Sequence, residues 1–140
     1  NNIRLLYIDL FCGAGGTSTG VEKANYKGVK NCAKVIACVN HDANAIASHA
    51  ANHPEAQHYT EDMRTLDLRP LAEHTAEMRQ MYPMAKIVLW ASLECTNFSR
   101  AKGGQPRDAD SRTLAEHLFR YIEALTPINP NRERRRIYEL

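Results

Sequence analysis

At 140 residues and 44% hydrophobic content, the chain is sized for one globular domain with a single ordinary core. A formal charge of +2 and a pI near 8.4 neither require nor exclude a nucleic-acid partner. The four cysteines (Cys12, Cys32, Cys38 and Cys95) are irregularly spaced with no apolar signal segment, which predicts free thiols in a reducing cytoplasm. No apolar run approaches the roughly 20 residues that span a bilayer, so membrane insertion is excluded.

In chain order, the apolar run Leu5 to Leu10 stops at Gly13-Ala-Gly-Gly16 before Thr17 and Ser18, which predicts strand, tight turn and helix. A second run, Val35 to Val39, ends at Asn40-His41-Asp42, where Asp42 caps a predicted helix from Ala43 towards His53. Glu55 to Tyr59 suits a short edge strand, and Leu71 to Tyr82 carries helix formers before Pro83. Ile87 to Ala91 is a continuous apolar run, the pattern of a strand buried on both faces of a parallel sheet.

From Ser92 to Ser111 the chain turns polar and glycine-rich, predicting a long loop directly after a strand. Leu114, Leu118, Ile122 and Leu125 then recur at helical spacing as a predicted apolar stripe up to Pro127. There is no internal repeat. Alternating strands and helices predict an α/β fold: a Rossmann-like, doubly wound, mainly parallel sheet. Ligands of such sheets bind at the carboxyl ends of the strands, where three loops converge: Phe11 to Ser18, Asn40 to Asp42, and Ser92 to Lys102.

A glycine-rich turn lets backbone approach a ligand closely, though on spacing alone a merely tight turn is the commoner reading. The residues themselves say more. Asp9-Leu-Phe-Cys-Gly-Ala-Gly-Gly-Thr-Ser-Thr-Gly20 resembles the first signature of DNA cytosine C5 methyltransferases, Asp-Leu-Phe-x-Gly-x-Gly-Gly followed by Ser-x-Gly. Glu94-Cys-Thr-Asn-Phe-Ser-Arg-Ala101 resembles that family's catalytic loop, Pro-Cys-Gln-x-Phe-Ser-x-Ala, with Glu94 in place of the proline and Thr96 in place of the glutamine. Asp110-Ser-Arg-Thr113 before a helix resembles the next block, a pattern that an ordinary capped helix explains equally well. The resemblance spans residues 5 to 127 and implies a class I methyltransferase fold of bacterial or phage type.

The resemblance further implies S-adenosyl-L-methionine as cofactor, with S-adenosyl-L-homocysteine as product. Phe11, Gly13, Ala14, Gly15, Gly16 and Thr17 would hold it. Asn40 and His41 stand where the family offers a carboxylate to the ribose and a residue that packs on adenine. An amide still bonds a hydroxyl and an imidazole still stacks, but the charge-assisted bond is lost. Asp62-Met63 matches the pair that recognises adenine; the alternative is an aspartate capping a local turn. By the same resemblance Leu114 would border the cofactor, and Ser99 and Arg112 would contact the substrate.

Cys95 is the implied nucleophile. A lone cysteine is ordinarily a small buried hydrophobe, but here it lies in a polar loop past a strand, within the matching motif. Cytosine C5 is a weak nucleophile until a thiolate adds at C6. The base is out of reach in a duplex, so the implied partner is double-stranded DNA with a flipped cytosine. Glu94 beside the sulfur disfavours the thiolate.

The resemblance stops after Pro127, and residues 128–140, with the basic tract Asn131 to Ile137, carry neither the family's later blocks nor a target-recognition domain. The expectation is therefore a partial catalytic domain. Its alternatives are a cofactor-binding subunit needing a second chain to supply the missing blocks, or a tRNA cytosine methyltransferase. A dinucleotide-dependent oxidoreductase is disfavoured, because the Cys-x-x-Phe-Ser loop has no role in hydride transfer. His49 and His53 stand at a spacing that can hold zinc, but without a second ligand pair in sequence no metal is expected. His58, His74 and His117 are expected on polar faces.

Overall fold

A computed structural model describes residues 2–10, 16–91 and 108–127. The elements run β1 (Leu5–Leu10), α1 (Gly16–Lys23), β2 (Asn25–Tyr26), β3 (Val29–Lys30), β4 (Ala33–Asn40), α2 (Ala43–Asn52), β5 (Gln57–Thr60), α3 (Arg69–Met81), β6 (Lys86–Ala91) and α4 (Asp108–Leu125). Four strands pair in the order β5-β4-β1-β6, all parallel, so the chain winds outward from β1 in one direction and then crosses back to its other side. This is the expected doubly wound sheet, with the reversal of strand order falling between β1 and β6.

Both sheet faces are covered. Leu6, Ile8 and Leu10 alternate along β1 and join Ala37, Val39, Met63, Leu71 and Tyr121 in the main core beneath α3 and α4. The opposite face carries Asp9 and Cys38 towards α1 and α2, which bond to each other through Ser18 with His49 and Thr19 with His53. Each element follows from local signals. Asp42 Oδ1 accepts from the Asn44 amide to cap α2, as predicted, and Pro70 in the first turn of α3 gives up no needed amide.

Several expectations change. Between Tyr7 and Ile8 the β1–β4 ladder slips by one residue, leaving Ile36 as a bulge. The buried His74 reaches from α3 to within 3.0 Å of the Ile36 carbonyl and donates to it through Nε2, so it is a core residue and not one of a polar face. His117 is likewise buried. β6 is not buried on both faces: it is the edge of the described sheet, and Trp90 is 44% exposed.

The stripe predicted on α4 holds at Leu118 and Leu125 but fails at Ile122. Ile122 is 51% exposed, whereas His117, Arg120, Tyr121, Ala124 and Leu125 are buried. The helix begins at Asp108, inside the segment predicted as loop. The β2–β3 hairpin was not anticipated; its two-residue turn places Lys27 at φ 50° and Gly28 at φ 79°, the twist that tight hairpins favour.

Candidate functional site

Because all four strands are parallel, their carboxyl ends form one rim. Leu10 and Ala91, the last residues of β1 and β6, are Cα partners in register. The glycine-rich segment follows the first, and the segment bearing Cys95 follows the second. Phe11, Gly13, Ala14, Gly15, Cys95 and Ser99 themselves lie outside the described residues, as does residues 128–140. Gly16 opens α1 and Thr17 beside it is exposed. Leu114 and Arg112 lie on α4, within its described backbone.

The β4 and β5 ends supply the next groups. Asn40 is the last residue of β4, and its Oδ1 accepts from the Asp42 amide at 2.9 Å, which folds the strand end into the start of α2. His41 is exposed and near enough to Asp62 to help lower its pKa. Asp62 is held chiefly by Arg64: Oδ1 accepts from the backbone amide at 2.8 Å, and Nε and Nη2 grip both carboxylate oxygens at 2.7–3.1 Å. That side-chain bond, opposed by burial and assisted by the backbone bond, holds the Asp62 carboxyl below the usual range. Asp62 thus makes the local turn that sequence left open as an alternative. Met63 is buried in the core.

α4 fixes this loop from behind. Arg120 donates through Nη1 to the Leu66 carbonyl at 2.9 Å and through Nη2 to those of Met63 at 3.0 Å and Arg64 at 3.2 Å. Tyr121 Oη also donates to the Met63 carbonyl, at 2.7 Å. Burial, with Arg120 opposing it, raises the Tyr121 phenol well above its ordinary value, so it stays a donor. Neither residue entered the sequence reading, since an apolar stripe gives no credit to a guanidinium that finds carbonyls.

On the α1–α2 face a second polar group assembles. Ser18 Oγ donates to Asp9 Oδ2 at 3.1 Å and lies 2.8 Å from His49 Nε2; His49 Nδ1 is 2.8 Å from His58 Nε2 and 3.4 Å from Cys38 Sγ. Burial raises the Asp9 carboxyl, with the Ser18 bond opposing. Burial, then the neighbouring His53 and His58, pushes His49 down to about 4, so it is neutral near pH 7. His53 packs beside it, ring centroids 4.8 Å apart, and bonds Glu22 at 2.6 Å and Thr19 at 3.0 Å. The Asp9–Ser18 bond ties the end of β1 to α1 across the glycine-rich segment, a role sequence could have suggested because both residues belong to the matching motif. His58, expected on a polar face, is instead half-buried against His49.

A nucleoside-like cofactor fits the groups on the β4–β5 side of the rim. The Asn40 amide and His41 imidazole provide a hydrogen-bonding group and a flat ring. Arg64 makes two contacts to each carboxylate oxygen of Asp62, so a ligand amino group would share Asp62 with that arginine.

A Rossmann-like domain with this rim is the class of protein that the fold and site define. The chain belongs to the C-5 cytosine-specific DNA methylase family, whose model matches residues 5–129. It is 31% identical over 121 residues to the type II methyltransferase M.AgeI of Thalassovita gelatinovora, an alignment covering 86% of this chain and 25% of that protein. It also resembles the crystal structure of a prophage-encoded protein of E. coli described as a DNA modification methyltransferase. That match has a TM-score of 0.55 at 26% identity and covers 88% of this chain and 30% of the other. The chain therefore spans roughly a quarter to a third of the length of these relatives.

Proposed function

We propose that this chain forms the cofactor-binding, nucleophile-bearing part of a DNA cytosine C5 methyltransferase. The observation that carries the reading is the register of β1 against β6, with Leu10 opposite Ala91. It starts the glycine-rich segment and the Cys95 segment side by side at the switch point of the sheet, where doubly wound folds take their ligands. Family membership supports the same assignment.

In this reading Gly13 to Thr17 and Phe11 would hold S-adenosyl-L-methionine, and Asn40, His41, Asp62 and Met63 would meet its ribose and adenine. Leu114 borders that pocket. When bound, the cofactor supplies an electrophilic methyl group. Cys95, as thiolate, adds to C6 of a flipped cytosine and makes C5 nucleophilic; after methylation, loss of the C5 proton and departure of the thiolate restore the aromatic ring. Ser99 and Arg112 contact the substrate strand. Glu94 raises the cost of the thiolate, so the thiol must be activated by a neighbouring cation or helix terminus.

The test has two arms. Calorimetry with S-adenosyl-L-methionine and S-adenosyl-L-homocysteine measures cofactor binding. Incubation with cofactor and DNA containing 5-fluorocytosine, read by mass spectrometry, captures the Cys95 adduct, since fluorine blocks the final elimination. The expected result is one bound cofactor per chain and an adduct that Cys95→Ser abolishes. Cofactor binding with no adduct would favour a subunit that needs a second chain, and an adduct with tRNA in preference to DNA would change the substrate. No binding at all would sink the assignment of residues 11–17.

A further inference from the structure

The α1–α2 face holds a set of donors that the methyl-transfer reading does not use. Asp9, Cys38 and His58 form a row across three strands: Asp9 and Cys38 are partners in the β1–β4 ladder, and Cys38 and His58 in the β4–β5 ladder. His49 descends onto that row from α2. The ligand atoms of Cys38, His49 and His58 all lie within 4.8 Å of one another, with Cys38 and His49 fully buried and His58 half-buried.

The Ser18 hydroxyl proton goes to Asp9, so Ser18 Oγ accepts from His49, and the His49 proton sits on Nε2. Nδ1 then carries a single lone pair, and His58 Nε2 at 2.8 Å and Cys38 Sγ at 3.4 Å both face it. The three ligand atoms thus converge on one point. A cation placed there takes a lone pair from each of them at once.

We propose that Cys38, His49 and His58 bind a zinc-class transition-metal ion. Thiolate and imidazole are the donors that such ions select over magnesium or calcium. In a tetrahedral site with ordinary bond lengths, two nitrogens stand about 3.3 Å apart and nitrogen and sulfur about 3.6 Å. The observed 2.8 Å and 3.4 Å are short of those edges by a few tenths of an ångström. Movement of the half-buried His58 away from His49 and towards Cys38 corrects the nitrogen pair and closes the remaining edge together. The Cys38 thiol loses its proton to solvent on binding, both imidazoles bind through lone pairs, and water completes the shell on the His58 side. The Ser18–Asp9 relay orients His49 from behind as a positioning device. The ion joins α2 and β4 to the edge strand β5, which leads directly to Asp62.

Titration of the purified, metal-stripped protein with Co²⁺ tests this independently of cofactor binding. One cobalt per chain is expected, with the intense visible bands of four-coordinate cobalt, a thiolate-to-metal charge-transfer band, and displacement by Zn²⁺. Cys38→Ser should remove the charge-transfer band. His58→Gln, at a half-buried position that circular dichroism will show to be folded, should weaken binding by at least about tenfold. Ser18→Ala should weaken it about 10–100-fold while the charge-transfer band persists at saturation. A charge-transfer band that is absent, or that survives Cys38→Ser, overturns the proposal; so does unchanged affinity in His58→Gln.

Discussion

His74 illustrates how one side chain settles a backbone irregularity. The bulge at Ile36 removes a carbonyl from the regular ladder, and the His74 imidazole restores a partner inside the core. Replacing it by leucine strands a buried acceptor, so His74→Leu should lose about 1–3 kcal/mol in urea denaturation. His74→Gln, which keeps an N–H donor, should recover part of that; equal losses in the two variants would refute the role. Asp62 gives a pH signature. Its folded pKa is depressed, so its pairing with Arg64 contributes fully above the ordinary value of 3.8 and is lost as pH falls through the lower folded value. With side chains 43% and 33% exposed, solvent screening limits the contribution to below about 1 kcal/mol. Carboxyl NMR should find Asp62 titrating below 3.8 and returning towards it in Arg64→Ala.

Among the elements, α4 separates pattern from packing. Its apolar residues predicted a stripe through Ile122, yet the face that is buried includes Tyr121 and Arg120, which find carbonyls at the β5–α3 loop. Thermal denaturation should therefore place Ile122→Ala within about 0.5 kcal/mol of the parent and Leu125→Ala about 2–5 kcal/mol below it. The reverse order would contradict this packing. β1, β4 and α2 were legible because apolar runs, a glycine stop and an aspartate cap are local signals. The rim was legible for a related reason: β-α alternation dictates parallel strands, and those dictate where ligands meet the sheet. The bulge, the His49 cluster and the α4 clamp were not, because each depends on residues brought together from separate elements. The β2–β3 hairpin escaped for want of a strong turn pair; Lys27 takes a positive φ that asparagine or glycine more commonly fills.

For the molecule as a whole, burial is concentrated on β4, with Val35 to Val39 all buried, while β5 and β6 form the sides of the described sheet. Hydrogen exchange should leave β4 amides the slowest and the exposed β2–β3 hairpin among the fastest, measured residue by residue. Uniform protection across the sheet would contradict this gradient. The strand order has a temporal consequence as well. β1, β4 and β5 lie within residues 5–60 and pair as neighbours, whereas Leu5 of β1 waits for Lys86 of β6. During synthesis the chain emerges amino end first, and long-range pairings form last. A three-stranded layer with its helices can thus assemble on the ribosome before β6 is made. The crevice, which needs both β1 and β6, comes into being only when that late strand docks, so no earlier translation product can present it.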